Sequence, residues 1–154
     1  MGRSLPVLIG LMVLAGLMVH ATGGTGVFAQ TSVNQPTPSG QVIGLGEDGV
    51  FRTEIVVDSY SYKPDHLIVT VGHPVELTLK SVTVIVPHNF VIKAPELGVV
   101  VSQDVPAGKT VTVQFTPTGT GKIEFYCDKK LLFFKSHKEK GMVGTLEVRP
   151  TPMN

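Results

Sequence analysis

Cys127 is the only cysteine in this 154-residue chain, and it closes the run Phe125-Tyr126-Cys127. His137 and Met142 follow it, while His88 stands far upstream in Val86-Pro87-His88-Asn89-Phe90. One thiolate, two imidazoles and a thioether make a donor set that selects copper and lets a single ion cycle between Cu(I) and Cu(II). The chemistry of such a mononuclear centre is the transfer of one electron at a time. Three of the four donors fall within residues 127–142, so one loop between neighbouring strands can gather them. His88 has to be delivered by a separate element.

Other chemistries find less support. A lone cysteine excludes a binuclear copper centre built on paired thiolates, and no His-x-His pattern is present to hold the further coppers of a multicopper oxidase. Zinc also accepts His88, Cys127 and His137 as three ligands, and that alternative stays open. A Cys/His nucleophile pair needs an orienting third group and an oxyanion site, and the sequence shows no sign of either. His66 and His73 adjoin turn signals and are expected at the surface.

The elements that must position these residues read as short strands. Hydrophobic residues make up 42% of the chain and charged residues only 16%, while Gly and Pro number 17 and 11. Such a composition favours many turns over long helices. Strand signals cover Phe51–Ser59, Leu67–Val71, Val75–Leu79, Phe90–Ile92, Thr110–Phe115, Lys122–Cys127 and Gly144–Val148. Their period-2 alternation between Gly/Pro turns predicts an all-β, antiparallel β-sandwich, and no window carries a helical period.

Ahead of the sandwich, Arg3, the apolar run Leu5–Val19 and the small-residue site Val27-Phe28-Ala29 have the layout of a secretory signal over residues 1–29. An uncleaved anchor is the alternative, and it is the one route to a membrane foreseen. Residues 30–49 are Pro-, Gly- and Ser-rich and read as a flexible arm, with Val42–Leu45 able to pair with a sheet edge. The domain is expected over 50–150. Loss of residues 1–29 removes Arg3 and no acid, leaving a formal charge of zero. That balance gives no basic surplus for nucleic acid. In an oxidising compartment an exposed free thiol is a liability, so ligation gives Cys127 a reason to be there. The expected location is periplasmic or secreted, and a monomer is expected.

Taken in order, the motifs resemble a known family. Tyr60-Ser61-Tyr62-Lys63-Pro64 and Val71-Gly72-His73-Pro74-Val75-Glu76-Leu77 resemble the opening strands of small bacterial cupredoxins, the plastocyanin-like blue copper proteins. Val86-Pro87-His88-Asn89-Phe90 is similar to their first-ligand region, and Phe125-Tyr126-Cys127 with His137 to Gly144 to their ligand loop and last strand. The resemblance spans roughly residues 50–149. It implies a Greek-key sandwich holding one copper ion, with Cys127 giving the short thiolate bond, His88 and His137 completing the plane and Met142 in the weak axial position. It implies that Asn89 ties the two ligand-bearing segments together. The function implied is a one-electron carrier between redox proteins, not an enzyme. A copper carrier or delivery protein, and a small red-copper enzyme with an open coordination position, are the alternatives.

The sequence departs from the family pattern between Cys127 and His137, where nine residues intervene instead of a few. The departure leaves Met142, Glu139 and water as competing axial ligands. The inserted stretch is chemically uneven. Leu131, Leu132, Phe133 and Phe134 are apolar, while Lys129, Lys130, Lys135, Lys138 and Lys140 surround them with positive charge. Lys129, Lys130, Leu132, Phe133, Phe134 and Lys135 therefore read as a docking surface for an acidic redox partner; folding of the apolar residues back onto the sandwich is the alternative.

Overall fold

The computed structural model describes residues 40–153. The signal expected at 1–29 lies outside the described residues, as does the arm up to residue 39. The described chain is all-β, with ten strands: β1 (Gln41–Val42), β2 (Phe51–Asp58), β3 (Ser61–Lys63), β4 (His66–Thr70), β5 (Val75–Ser81), β6 (His88–Ala94), β7 (Val99–Val105), β8 (Thr110–Phe115), β9 (Gly121–Tyr126) and β10 (Val143–Arg149). Two single turns of 3-10 helix, Pro95–Leu97 and Lys138–Lys140, are the helical elements among the described residues.

The strands form a Greek-key sandwich of two sheets, one ordered β1-β4-β10-β9-β6-β7 and the other β3-β2-β5-β8. The expectation of purely antiparallel sheets is corrected. β1 with β4, β4 with β10, and β2 with β5 are parallel pairs. The chain crosses between sheets after β1, β3, β4, β5, β7 and β8. A strand arriving by a crossover lies beside one that is not its chain neighbour, so the reversal a hairpin enforces is lost.

Alternation puts every second side chain inside. In β5, Val75, Leu77 and Leu79 are buried, and in β10 Leu146 and Val148 are. β6, which lies between β7 and β9, is buried at every residue except Lys93. The aromatic centre of the core is Tyr62, Phe90 and Phe125, with ring centroids 5.0–5.7 Å apart.

Three further expectations need adjusting. β7 adds a strand to those expected, because its opening Val99-Val100-Val101 hides the alternation that follows. The edge pairing expected of Val42–Leu45 is present and starts one residue earlier: Gln41 and Val42 pair with Leu67 and Ile68 of β4, and Ile43 is buried. The sandwich therefore begins by Gln41, not at 50. His66 and His73 are half-buried rather than exposed: His66 lies 3.3 Å from the Glu147 carboxylate, and His73 packs edge-on against Phe51.

Candidate metal centre

Two neighbouring strands carry their inward-facing rows to one end of the sandwich. On β6 the inward row runs Ala94, Ile92, Phe90 and then His88; on β9 it runs Ile123, Phe125 and then Cys127. β6 and β9 are antiparallel, with Val91 opposite Tyr126 and Ile92 opposite Phe125. Continuing that register sets Asn89 beside Asp128. His88 and Cys127 are thus the places where two core rows change from carbon to donor atoms.

The third donor comes from the loop. His137 donates its N–H to the Lys129 carbonyl at 2.8 Å, which closes the base of the nine-residue excursion. Its carbonyl accepts from Met142 N–H at 2.9 Å across the 3-10 turn. Gly141, with φ of 95°, provides the left-handed step that turns the chain back into β10.

Cys127 Sγ lies 3.4 Å from His137 Nδ1 and 3.9 Å from His88 Nδ1, and the two Nδ1 atoms are 3.1 Å apart. Three donors about 2.0–2.3 Å from a common centre stand roughly 3.5–3.8 Å apart in a trigonal plane. The observed triangle matches one ion, and its thiolate and two imidazoles suit copper. All three residues are buried. Met142 is fully buried beside them: its carbonyl accepts from Cys127 N–H at 3.1 Å, and its N–H bonds His137 as above. Glu139, by contrast, is exposed, and its carboxylate accepts from the Ser136 N–H and hydroxyl at 2.7 and 2.8 Å. Those bonds hold it below the usual carboxylate range and occupy it at the surface.

Burial sets the protonation of the donors. It pushes His88 down to about 4, with neighbouring His137 adding to the shift, and it lowers His137 too, with Lys140 adding to the effect. Both imidazoles are therefore uncharged at neutral pH, which is the form that binds metal. The Cys127 thiol is pushed up by burial, so metal entry must displace its proton.

Asn89 bridges the two segments. Its side-chain amide donates to Asp128 Oδ1 at 2.7 Å, and its carbonyl oxygen accepts from Asp128 N–H at 3.1 Å. Its backbone N–H points at Cys127 Sγ from 3.4 Å. Behind it, Tyr62 donates its hydroxyl proton to the Asn89 carbonyl at 2.5 Å.

Tyr60 joins the site without any marker in its sequence setting. Its ring meets that of His137 edge-on at 4.9 Å, and Lys140 Nζ donates to its hydroxyl at 3.1 Å. Its φ of 60°, uncommon for a bulky residue, turns it toward the site. Sequence carried no local signal for a contact across so many residues.

The lysines and apolar residues of the loop are dispersed. Leu131, Leu132, Phe133 and Phe134 are all exposed and do not fold back onto the sandwich. Lys129 pairs with Asp104 at 2.8 Å, and Lys138 with Glu124. Lys130 and Lys135 have no ion-pair partner among the described residues. Leu131, Phe134, Lys129 and Lys130 line a groove of about 500 Å³, together with Ile85, Pro87, Tyr60 and His137 itself. The wall contributed by Ile85 and Pro87 has its sequence signal in the unbroken apolar run Val84-Ile85-Val86-Pro87 before His88.

Among known proteins, a family model described as a cupredoxin-like domain matches residues 30–143. No curated protein matches the chain. Among solved structures it is similar to dithionite-reduced auracyanin from Roseiflexus castenholzii, at 19% identity and a TM-score of 0.52, covering 64% of this chain and 97% of that one. It is also similar to the Cu(I)-bound metal binding domain of the Cu(I)-exporting P-type ATPase CopA of Streptococcus pneumoniae, at 18% identity and 0.52, covering 71% and 96%. A multicopper oxidase matches at 18% identity and 0.56, covering 73% of this chain but 47% of that one. At these identities the likeness is one of fold.

Proposed function

The chain belongs to the cupredoxin-like domain family, and from that premise we propose that it is a one-electron carrier whose copper would be held by His88, Cys127 and His137, with Met142 as the fourth, weaker donor. The observation that carries the reading is the buried triangle of Sγ and two Nδ1 atoms, of whose three residues only His137 lines the groove. Copper bound there supplies reversible one-electron chemistry.

The chain's own part is to hold the donors still. Asn89 and Asp128 lock the two strand ends together, and the Asn89 N–H stabilises negative charge on sulfur. The bonds of His137 to Lys129 and Met142 fix the imidazole's backbone, and Tyr60 limits its tilt. Donors that need not move between oxidation states keep the reorganisation of each transfer small. Burial of His88, Cys127 and Met142 excludes substrate from the metal, which supports a carrier over an enzyme.

The groove beside His137 is the proposed exit, meeting a redox protein whose acidic groups complement Lys129, Lys130 and Lys140. A periplasmic or secreted location is supported by the signal-like sequence at 1–29 and by a lone cysteine given over to metal. No helix among the described residues is long and apolar enough to cross a membrane.

Optical and electron paramagnetic resonance spectra with Cu(II) test the reading. An intense visible thiolate-to-copper band with narrow hyperfine splitting is expected, and Cys127→Ser is expected to abolish both the band and tight binding. Full copper retention by that variant would sink the proposal. Weak colour with wide splitting would favour a delivery protein or an open-site enzyme.

A further inference from the structure

The corner of the Cys127–His137 loop goes against its own local preferences. Phe134 N–H donates to the Leu131 carbonyl at 3.0 Å, making a tight turn with Leu132 and Phe133 at its two central positions. Leu132 has φ of 47°, a left-handed conformation that Gly or Asn adopts at little cost and a bulky side chain does not. Phe133 is 101% exposed and Leu132 73%. Neither core packing nor turn chemistry accounts for two large apolar residues here, and such violations mark function.

Their placement separates them from the exit at His137. Leu131 and Phe134 line the groove, whereas Leu132 and Phe133 do not. The central pair projects beyond it, flanked in sequence by Lys130, which also lines the groove, and Lys135; neither makes an ion pair among the described residues, although both help to hold the exposed Glu139 carboxylate below its usual range. A folded partner would need a pocket cut to this corner. A bilayer needs only depth, and two apolar side chains between two lysines match the layering of anionic headgroups over hydrocarbon.

We propose that this corner inserts into the interfacial layer of an anionic lipid membrane, with Leu132 and Phe133 at the acyl boundary and Lys130 and Lys135 among the headgroups. The proposal goes beyond the electron-carrier reading and does not depend on it, because lipid contact can be read without copper.

The chain contains no tryptophan, so Phe133→Trp in the full chain adds a single fluorescent reporter. Vesicles of mixed phosphatidylglycerol and phosphatidylcholine are expected to shift its emission to the blue, and brominated acyl chains to quench it. Phosphatidylcholine alone, high salt, or Lys130→Glu with Lys135→Glu is expected to weaken partition roughly tenfold or more. Unchanged circular dichroism establishes that each variant is folded. A reporter in the N-terminal segment's company but not itself in lipid would stay unquenched. Emission that remains water-like and unquenched on anionic vesicles would overturn the proposal and leave the corner to a protein pocket. Equal quenching on neutral and anionic vesicles would overturn the charge-guided insertion.

Discussion

Met142 serves the candidate centre twice over. Its backbone bonds both Cys127 and His137, while its side chain is fully buried in the same core cluster. These are separable roles. Met142→Leu nearly conserves volume, so it is expected to cost less than about 1.5 kcal/mol of stability. Removal of the thioether is expected to shift the reduction potential and the visible spectrum, because the axial ligand tunes a copper site. Voltammetry and absorption on the loaded protein check this, and an unchanged spectrum would make Met142 core filler alone. At this scale, sequence order makes Cys127, His137 and Met142 readable as a set because they are near neighbours. His88 is readable through its Pro-His-Asn-Phe setting. Tyr60 is not, since its approach to His137 depends on a left-handed step that no residue type there advertises.

Between residue and molecule, β9 and β10 show how close packing disciplines the element that follows the ligand loop. Gly144 of β10 lies opposite Phe125 of β9. A Cβ added at Gly144 would stand 2.2 Å from the Phe125 ring and 2.6 Å from the Asp65 carbonyl oxygen. The ring packs in the aromatic core and the carbonyl already accepts from Thr145 N–H, so neither yields easily. Gly144→Ala is expected to cost about 1–3 kcal/mol, seen as a lower Tm in thermal denaturation. An unaltered Tm would mean that the Phe125 ring has room to turn. Strands with clean alternation, such as β5, β8 and β10, could be read from sequence with small errors at their ends. β7 could not, because three successive valines give no phase, and β3 is too short to show a period.

For the whole molecule, a formal charge of +1 conceals five lysines between residues 129 and 140, all at the loop end. The sandwich class follows from composition and turn spacing. Its sheet order does not, because the parallel pairs arise from crossovers that local patterns leave unmarked. β1 is a partial case: edge pairing is legible in Val42–Leu45, but not that its partner is β4 or that the pair is parallel, and Ile43 N–H adds a bond to the Ile68 carbonyl at 3.1 Å. Trimming the chain to begin at Val50 would leave that side of β4 unpaired, with Leu67 and Ile68 at a bare margin. Concentration-dependent association in light scattering is expected of the trimmed protein, and a clean monomer would show the strand to be dispensable. Unsatisfied strand margins recruit other chains. What reads as slack ahead of the sandwich is therefore a guard against self-templating, and it keeps each copy of the sheet from becoming the next strand of another.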